Sequence, residues 1–369
     1  MKKILFCLLL LSLIACDKEP FQTDQIDQTD QKEDIIDFGV PHNEIWYTTS
    51  DYKIITPTFA PSQKPKIISN TYSGSKGVMV FESEVTQVEA SLFAHHYNLT
   101  SVTLPSSVTK IGEEAFIACN KLHTANIPSS VESIGKSAFG TSGLSSITIP
   151  NKITIMEESV FSNCKQLTTV ILPKNLTKIC KKAFAYSPKL RTITIPDSVE
   201  EVEPQSFGGC YGLNSFNGKF ASADGRCLIA DNTLIAVAPA GLKSFVISNG
   251  VTSISDYSFE VCPDIEEIII PNGVSTIGNY VFINCSKLRE VTIPESVTTI
   301  GEGCFINTGT SQTIYCKPKT PPMPCVGKYG DWEGFSRFAT IYVPMESVEL
   351  YKNTEHWSKY ADNIVGYEF

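Results

Sequence analysis

Histidine is scarce in this chain: His42, His95, His96, His123 and His356 are the only five among 369 residues. None stands in an H-E-x-x-H pair or a cysteine–histidine cluster, which excludes the usual zinc-hydrolase and structural-zinc arrangements. No glycine-rich phosphate loop and no dinucleotide fingerprint occurs either. Positive charge is also short, with 30 Lys and Arg against 39 Asp and Glu for a net −9. A nucleic-acid partner calls for clustered Lys and Arg on one face, and residues 39–369 contain no basic run. Long apolar stretches are missing after the first sixteen residues, so nothing else reads as a membrane span. Gly208-Gly209-Cys210-Tyr211-Gly212 imitates a nucleophile elbow, but that motif requires a strand–turn–helix and a histidine partner. The acid pairs Glu113-Glu114, Glu157-Glu158 and Glu266-Glu267 are sequence neighbours and fit solvated turns. We expect no catalytic residue, no metal and no cofactor, and read the chain as a non-enzyme.

What is present begins with an export signal. Lys2 and Lys3 form its charged start, Ile4 to Leu13 its apolar run and Leu13-Ile14-Ala15-Cys16 its end. That ending resembles the lipobox of bacterial lipoproteins. The resemblance implies that residues 1–15 are removed and that Cys16 is acylated on its thiol and new amino group. A secretory signal followed by an unrelated cysteine is the alternative. Several acyl chains, at about 0.8 kcal/mol per buried methylene, anchor a protein stably. Residues 17–38 hold eight acids against two lysines, so 16–38 reads as an acylated cysteine followed by a disordered acidic tether. Acids placed straight after such a cysteine resemble the surface-export signal of Bacteroidota lipoproteins. That implies a lipid-anchored outer-membrane protein facing the cell exterior, with the periplasmic face as the alternative.

The rest of the chain is organised by repetition. LTSVTLPSSVTKIGEEAFIACNK, from Leu99, returns from Leu122, Leu144, Leu167, Leu190, Ile265 and Leu288. A fixed period in the range of about 20–50 residues marks a solenoid. Phe93, Phe116, Phe139, Phe161, Phe184 and Phe207, then Phe259, Phe282 and Phe305, fall 23 residues apart except for one step of 22 and one gap of 52. Within one unit, Val102 and Leu104 alternate as a strand with Thr103 outward, and Pro105 ends it for want of an N–H. Val108 and Ile111 suggest a second short strand, Gly112 a turn, and Ala115-Phe116 a tight helical or irregular return. The step from Leu213 to Leu242 is 29 residues, so 213–241 is an enlarged coil with a hairpin at Ala223-Asp224-Gly225 or Asp231-Asn232. In the coil that follows, Ser248 stands where proline is usual.

This pattern, L-x-x-V-x-I-P-x-x-V-x-x-I-G-x-x-A-F-x-x-C, resembles the BspA-like leucine-rich repeat family of bacterial surface proteins. The resemblance covers 85–310 and extends to the NEIWYTT opening, the GKFASADGRCLI coil and the C-terminal ending. The expected fold is therefore a β-rich repeat solenoid, a leucine-rich repeat of coils about 23 residues long, closed by atypical caps at 39–84 and 311–369. Capping is required because a bare terminal coil exposes its apolar cross-section. Trp46, Tyr47 and Phe59 are expected to cover the N-terminal end; a separate small binding module is the alternative there. In the C-terminal cap an amphipathic helix is expected over 347–362. Ser347 would be its N-cap, and Val348, Tyr351, Trp357 and Tyr360 would pack over Phe305.

Cys119, Cys164, Cys210, Cys262 and Cys285 each follow the column Phe by three residues, where other coils place Ser142, Ser187 and Thr308. The position reads as a packing slot for small residues. Two bridges stay open: Cys262–Cys285, in adjacent coils at about 4.8 Å spacing, and Cys316–Cys325 across a short loop. The outward strand positions are the candidate binding residues: Thr100, Ser101 and Thr103; His123, Thr124 and Asn126; Ser145, Ser146 and Thr148; Thr168 and Thr169; Arg191, Thr192 and Thr194. Ile171, Glu266, Glu267, Ile269, Arg289, Glu290 and Thr292 continue the same face. Solenoids bind partners across such surfaces, though Ser and Thr also simply suit solvated strands.

The resemblance to adhesins implies a protein that uses its repeat face to bind a host or bacterial surface protein or a glycan, in adhesion or colonisation, and we expect it to be a monomer. An accessory scaffold of an outer-membrane nutrient-capture or envelope complex is the alternative. The Phe column is structural under either reading. Phe184→Ala in mid-array is expected to cost about 3–5 kcal/mol in denaturant unfolding; a loss near zero would refute the column as the core.

Overall fold

The computed structural model describes residues 38–58, 66–309, 312–324, 334–336 and 338–369. Cys16, the signal, residues 16–37 of the tether, Phe59 and Cys325 lie outside the described residues.

The repeats build a β-solenoid with two ladders of parallel strands. The first holds the L-x-x-V-x-I segments: Leu99–Thr103, Thr124–Asn126, Ser146–Thr148, Thr169–Ile171, Thr192–Ile195 and Ser215–Gly218. It resumes as Ser244–Val246, Glu267–Ile269, Glu290–Ile293, Thr313–Cys316, Thr340–Pro344 and Ile364–Tyr367. Register follows the repeat, Ser101 pairing with Thr124 and Ile269 with Thr292. The second ladder consists of two-residue strands such as Lys110–Ile111, Ser133–Ile134 and Lys178–Ile179. Proline links the two: the Val108 N–H donates back to the Pro105 carbonyl at 3.1 Å, and Val131 does the same to Pro128 at 3.2 Å. The turn closed by this bond swings the chain from one ladder to the other.

The return past Phe is regular but not helical. In all nine coils the residues two before and two after the column Phe are left-handed, as at Glu114 (φ 56°) and Ala118 (φ 59°). The backbone N–H groups then alternate. Those of Ala115 and Ile117 close tight turns onto Gly112 and Glu114 at 3.3 and 3.0 Å. Those of Glu114, Phe116 and Ala118 reach the next coil at Lys136, Ala138 and Gly140, at 2.9, 2.8 and 2.8 Å. A left-handed L-residue costs about 1–2 kcal/mol, and the β-branched Val261 at φ 56° is the most strained kind. Inter-coil hydrogen bonds in every turn hold the conformation. Gly112 answers a different demand: a Cβ there would stand 2.5 Å from the Ala90 backbone nitrogen in the preceding coil.

Inside, the Phe column stacks. Phe93, Phe116, Phe139, Phe161, Phe184 and Phe207 lie 5.1–5.9 Å apart with planes within 10°. The slot three residues later proves to be more than a space for a small side chain. The thiols of Cys119, Cys164, Cys210 and Cys285 donate to the carbonyls of Phe93, Phe139, Phe184 and Phe259 at 2.9–3.2 Å, and the Ser187 hydroxyl donates to Phe161 at 3.2 Å. Burial pushes Cys119 and Cys210 up to about 12 and Cys164 to about 11, so these thiols stay protonated donors. Cys262 and Cys285 are both free, so the bridge considered between them is not formed. Cys316 sits 3.4 Å from the Tyr351 hydroxyl.

The enlarged coil reverses at both expected places: around Ala223-Asp224-Gly225, Ala221 bridges Leu228 antiparallel and the Ser222 N–H donates to the Cys227 carbonyl at 2.9 Å. Strands Cys227–Ala230 and Thr233–Val237 run antiparallel through Asp231 and Asn232, both with positive φ, the tight-turn geometry that favours right-twisted ribbons. Here the stack is interrupted: Phe207 meets Phe216 and Phe259 meets Phe245 edge-on, at 5.2 and 5.6 Å. Two core clusters result. Polar contacts cross the seam. The buried Glu260 carboxylate accepts from Gln205 Nε2 at 2.9 Å and from the Tyr186 hydroxyl, while Gly209 N–H donates to the Glu260 carbonyl at 3.2 Å.

Both caps depart in detail from expectation. At the N-terminal end, Glu44–Thr49, Ile67–Ser73 and Lys76–Phe81 form an antiparallel unit whose first strand pairs with Leu99–Thr103. Tyr47 is buried, and its hydroxyl lies 2.6 Å from Asn70 Oδ1. Trp46, by strand alternation, faces outward: Lys76 Nζ sits 3.5 Å above its ring and its indole donates to Glu44 at 2.6 Å. It therefore does not cover the core. At the other end, the single helix expected over 347–362 is a six-residue α-helix, Val348–Asn353, followed by a 3₁₀ segment, Ser358–Asn363. Thr354 is extended and His356 left-handed (φ 66°), a break that carries Trp357 into full burial. Ser347 makes no capping hydrogen bond. Phe335, outside the repeat pattern, stacks on Phe305 at 5.2 Å and hands the column to Trp357 at 5.4 Å.

Removing the thiol donor should expose its role. Cys119→Ala is expected to cost about 1–2 kcal/mol, and Cys119→Ser, which restores a donor, clearly less. Raised thiols stabilise below the ordinary thiol pKa, because above it the unfolded chain ionises while the folded one does not. The urea midpoint should therefore fall as pH rises from about 9 toward 11, and the fall should be shallower in Cys119→Ser. Equal stability of the Ala and Ser variants would refute the donor assignment.

Candidate functional site

The outward side of the first ladder is where side chains escape the core. Its inward positions, Leu99, Val102, Leu122, Leu144, Leu167 and Leu190, are fully buried. Of the residues expected on the outer side, His123, Thr124, Ser145, Ser146, Thr148, Thr168, Thr169, Arg191, Thr192 and Thr194 are exposed. They follow one another at cross-strand spacing, as Ser146 beside Thr169 and Thr148 beside Ile171. Some are already engaged: Thr168 donates to the Ser145 carbonyl at 2.9 Å and Arg191 to the Gly212 carbonyl at 3.2 Å.

The N-terminal edge is less open than the repeat pattern suggests. Thr100, Ser101 and Thr103 are half-buried. The hydroxyls of Thr100 and Ser101 each stand 2.6 Å from Thr48 Oγ1 on the capping strand. Thr103 accepts from Asn126 Nδ2 at 3.2 Å. An edge strand with unpaired backbone groups invites pairing; here the cap supplies it, and two of the expected recognition residues serve that joint. Trp46, level with Thr103 in register, brings an aromatic ring to this edge.

The structure also assembles an aromatic group at the opposite end. Tyr315 and Tyr342 stack at 5.2 Å, and Tyr367 meets them edge-on at 5.4 and 5.3 Å. Phe369 packs on Tyr367 at 5.1 Å. Tyr315 and Tyr342 occupy the register of Thr292, one coil further each time. The register signal lay in TIYC and TIYVP, but the loop of irregular length between them hides the step. No group of three or more metal-ligating side chains is present among the described residues.

Stacked coils of this period, most of them with a Phe, a Pro and a small donor in the turn, define a leucine-rich repeat solenoid. The model of the BspA type leucine-rich repeat region matches in six copies over residues 86–214 and 239–320. With more than half of its length matched, the chain belongs to the BspA type leucine-rich repeat family. Among solved structures it is similar to a leucine-rich cell surface protein from Faecalibacterium prausnitzii, with a TM-score of 0.53 and 22% identity over 89% of this chain and 94% of that one. It is also similar to the pneumococcal vaccine antigen PcpA, with a TM-score of 0.60 and 20% identity over 91% of this chain and 99% of the other. At these identities the likeness is one of fold. No curated protein sequence matches.

Proposed function

We propose that this chain is a non-enzymatic bacterial surface protein that binds a protein or glycan partner through the outward side of its first strand ladder, in adhesion or colonisation. The supporting observation is the contrast within each coil. The column residues are consumed by the core, while the outer strand positions from His123 to Thr194 stay exposed along successive coils. A flat, hydroxyl-rich strip of this kind suits an extended partner better than a small molecule. The cell surface protein among its structural relatives supports a surface location, and a lipid on Cys16 would anchor it there. No helix among the described residues is long and apolar enough to cross a membrane.

Two measurements test this. Protease treatment of intact cells should remove the folded part; full protection would overturn surface display. On an array of glycans and surface proteins, the chain should bind a ligand whose affinity falls at least tenfold when Thr148, Thr169, Thr192 and Thr292 are all replaced by lysine. Undiminished binding would overturn the strand face as the site.

A further inference from the structure

We propose that the C-terminal half of this face is a docking platform for a protein segment that alternates basic with apolar side chains. The proposal rests on the strand-face reading above and assigns the position and the partner's chemistry.

Exposed apolar side chains on the face concentrate here. Val246, Ile269, Val365, Tyr367 and Phe369 are 62%, 45%, 43%, 41% and 48% exposed, whereas Ile171 is the sole large apolar residue so exposed on the earlier strands of the face. Val246, Ile269, Thr292, Tyr315, Tyr342 and Val365 are successive cross-strand partners. At about 4.8 Å per strand this makes a stripe roughly 24 Å long. It lies on a single six-stranded hydrogen-bonded sheet, while the earlier part of the face is divided into shorter pieces. The stripe therefore lies on the longest unbroken sheet of this face.

The rings are positioned in advance. Tyr315 and Tyr342 are stacked with planes 17° apart, so they cover each other's faces and present edges and hydroxyls. Among the described residues none of the phenols of Tyr315, Tyr342 and Tyr367 makes a hydrogen bond, whereas those of Tyr47 and Tyr351 do. Apolar ring bodies with free hydroxyls are the surface that protein interfaces favour. A sugar ring would call for an open aromatic face instead.

Charge selects the partner. Glu267 and Glu290 are direct cross-strand neighbours beside the stripe, both exposed. Like charges so placed repel. Lys243 and Arg289 on the margin and Lys317, whose Nζ lies 5.5 Å from the Phe369 ring, form no ion pair with either carboxylate among the described residues. A cation brought by the partner relieves the repulsion, and its N–H groups can donate to the free phenol oxygens. The chain's net charge of −9 steers a basic partner inward and opposes a second copy of the chain.

The test uses the full chain and fluorescence anisotropy with 12-residue peptides alternating Arg with Leu, Glu with Leu, and Arg with Ser, plus maltohexaose as a neutral sugar competitor. The Arg–Leu peptide should bind at least tenfold more tightly than the other two. Glu267→Gln with Glu290→Gln, a surface change that leaves packing intact, should weaken it at least tenfold, and so should Tyr315→Ala with Tyr342→Ala. Ser133→Gln, on the second ladder and outside this face, should leave it unchanged, while Thr148→Gln with Thr169→Gln reads the earlier strands of the face. Competition by maltohexaose, preference for the Glu–Leu peptide, or self-association in sedimentation that the tyrosine variant abolishes would each overturn the proposal. Binding lost only in the threonine variant would overturn it while sparing the strand-face reading. Binding indifferent to every substitution would remove both.

Discussion

Each coil of this protein is too thin to enclose its own hydrophobic side chains. The Phe of one turn finds its cover only on the Phe of the turns before and after, at 5.1–5.9 Å in the first run. That single dependence accounts for most of what surrounds it. The coils must match in length, so the period holds at 23 residues with one step of 22. They must also approach closely, so glycine stands where Gly112 crosses the Ala90 backbone. Turn residues must face N–H groups along the axis, which places non-glycine residues in the left-handed region coil after coil. The strain is local; the ladder of inter-coil hydrogen bonds that compensates it is shared.

The same dependence makes interruption expensive, and the structure manages each interruption with a different device. At the enlarged coil the stack turns edge-on and a buried carboxylate, Glu260, ties Gln205 and Tyr186 across the gap. At the N-terminal end an antiparallel strand, Glu44–Thr49, occupies the open edge. At the C-terminal end Phe335 and Trp357 extend the column until Tyr351 and Tyr360 close it. The first device uses side chains at ordinary repeat positions; the other two consist of residues outside the repeat.

Function has to live on what the core leaves over. In each coil that is two or three outward strand positions, and the family pattern does not constrain their chemistry. Hydroxyl groups fill them on the earlier strands, and apolar groups, aromatic rings and acids fill them on the later ones. The two halves therefore offer different surfaces on one continuous scaffold. The seam at 213–241, where the hydrogen-bonded sheet is also divided, is the boundary between them.

Much of this was legible in the chain itself. Periodicity places Phe93 through Phe305, because one column position has the same neighbours in every coil and so the same residue. It likewise identifies the Pro turn, the slot after Phe, the enlarged coil and the outward row from Thr100 to Thr194. Where periodicity stops, so does the reading. Ser347 looks like a cap and is not, Trp46 looks like core and faces out, and Thr100 and Ser101 look free but meet Thr48. Phe335 joins the stack, and Tyr315, Tyr342, Tyr367 and Phe369 gather on one surface, because loops of unequal length bring them together. Sequence alone determined the solenoid and its spine, since a repeated coil can bury its apolar residues in only one register. Tertiary structure decided which outward groups stay open and which neighbours they gain, since that depends on the unrepeated segments that pack against the ends.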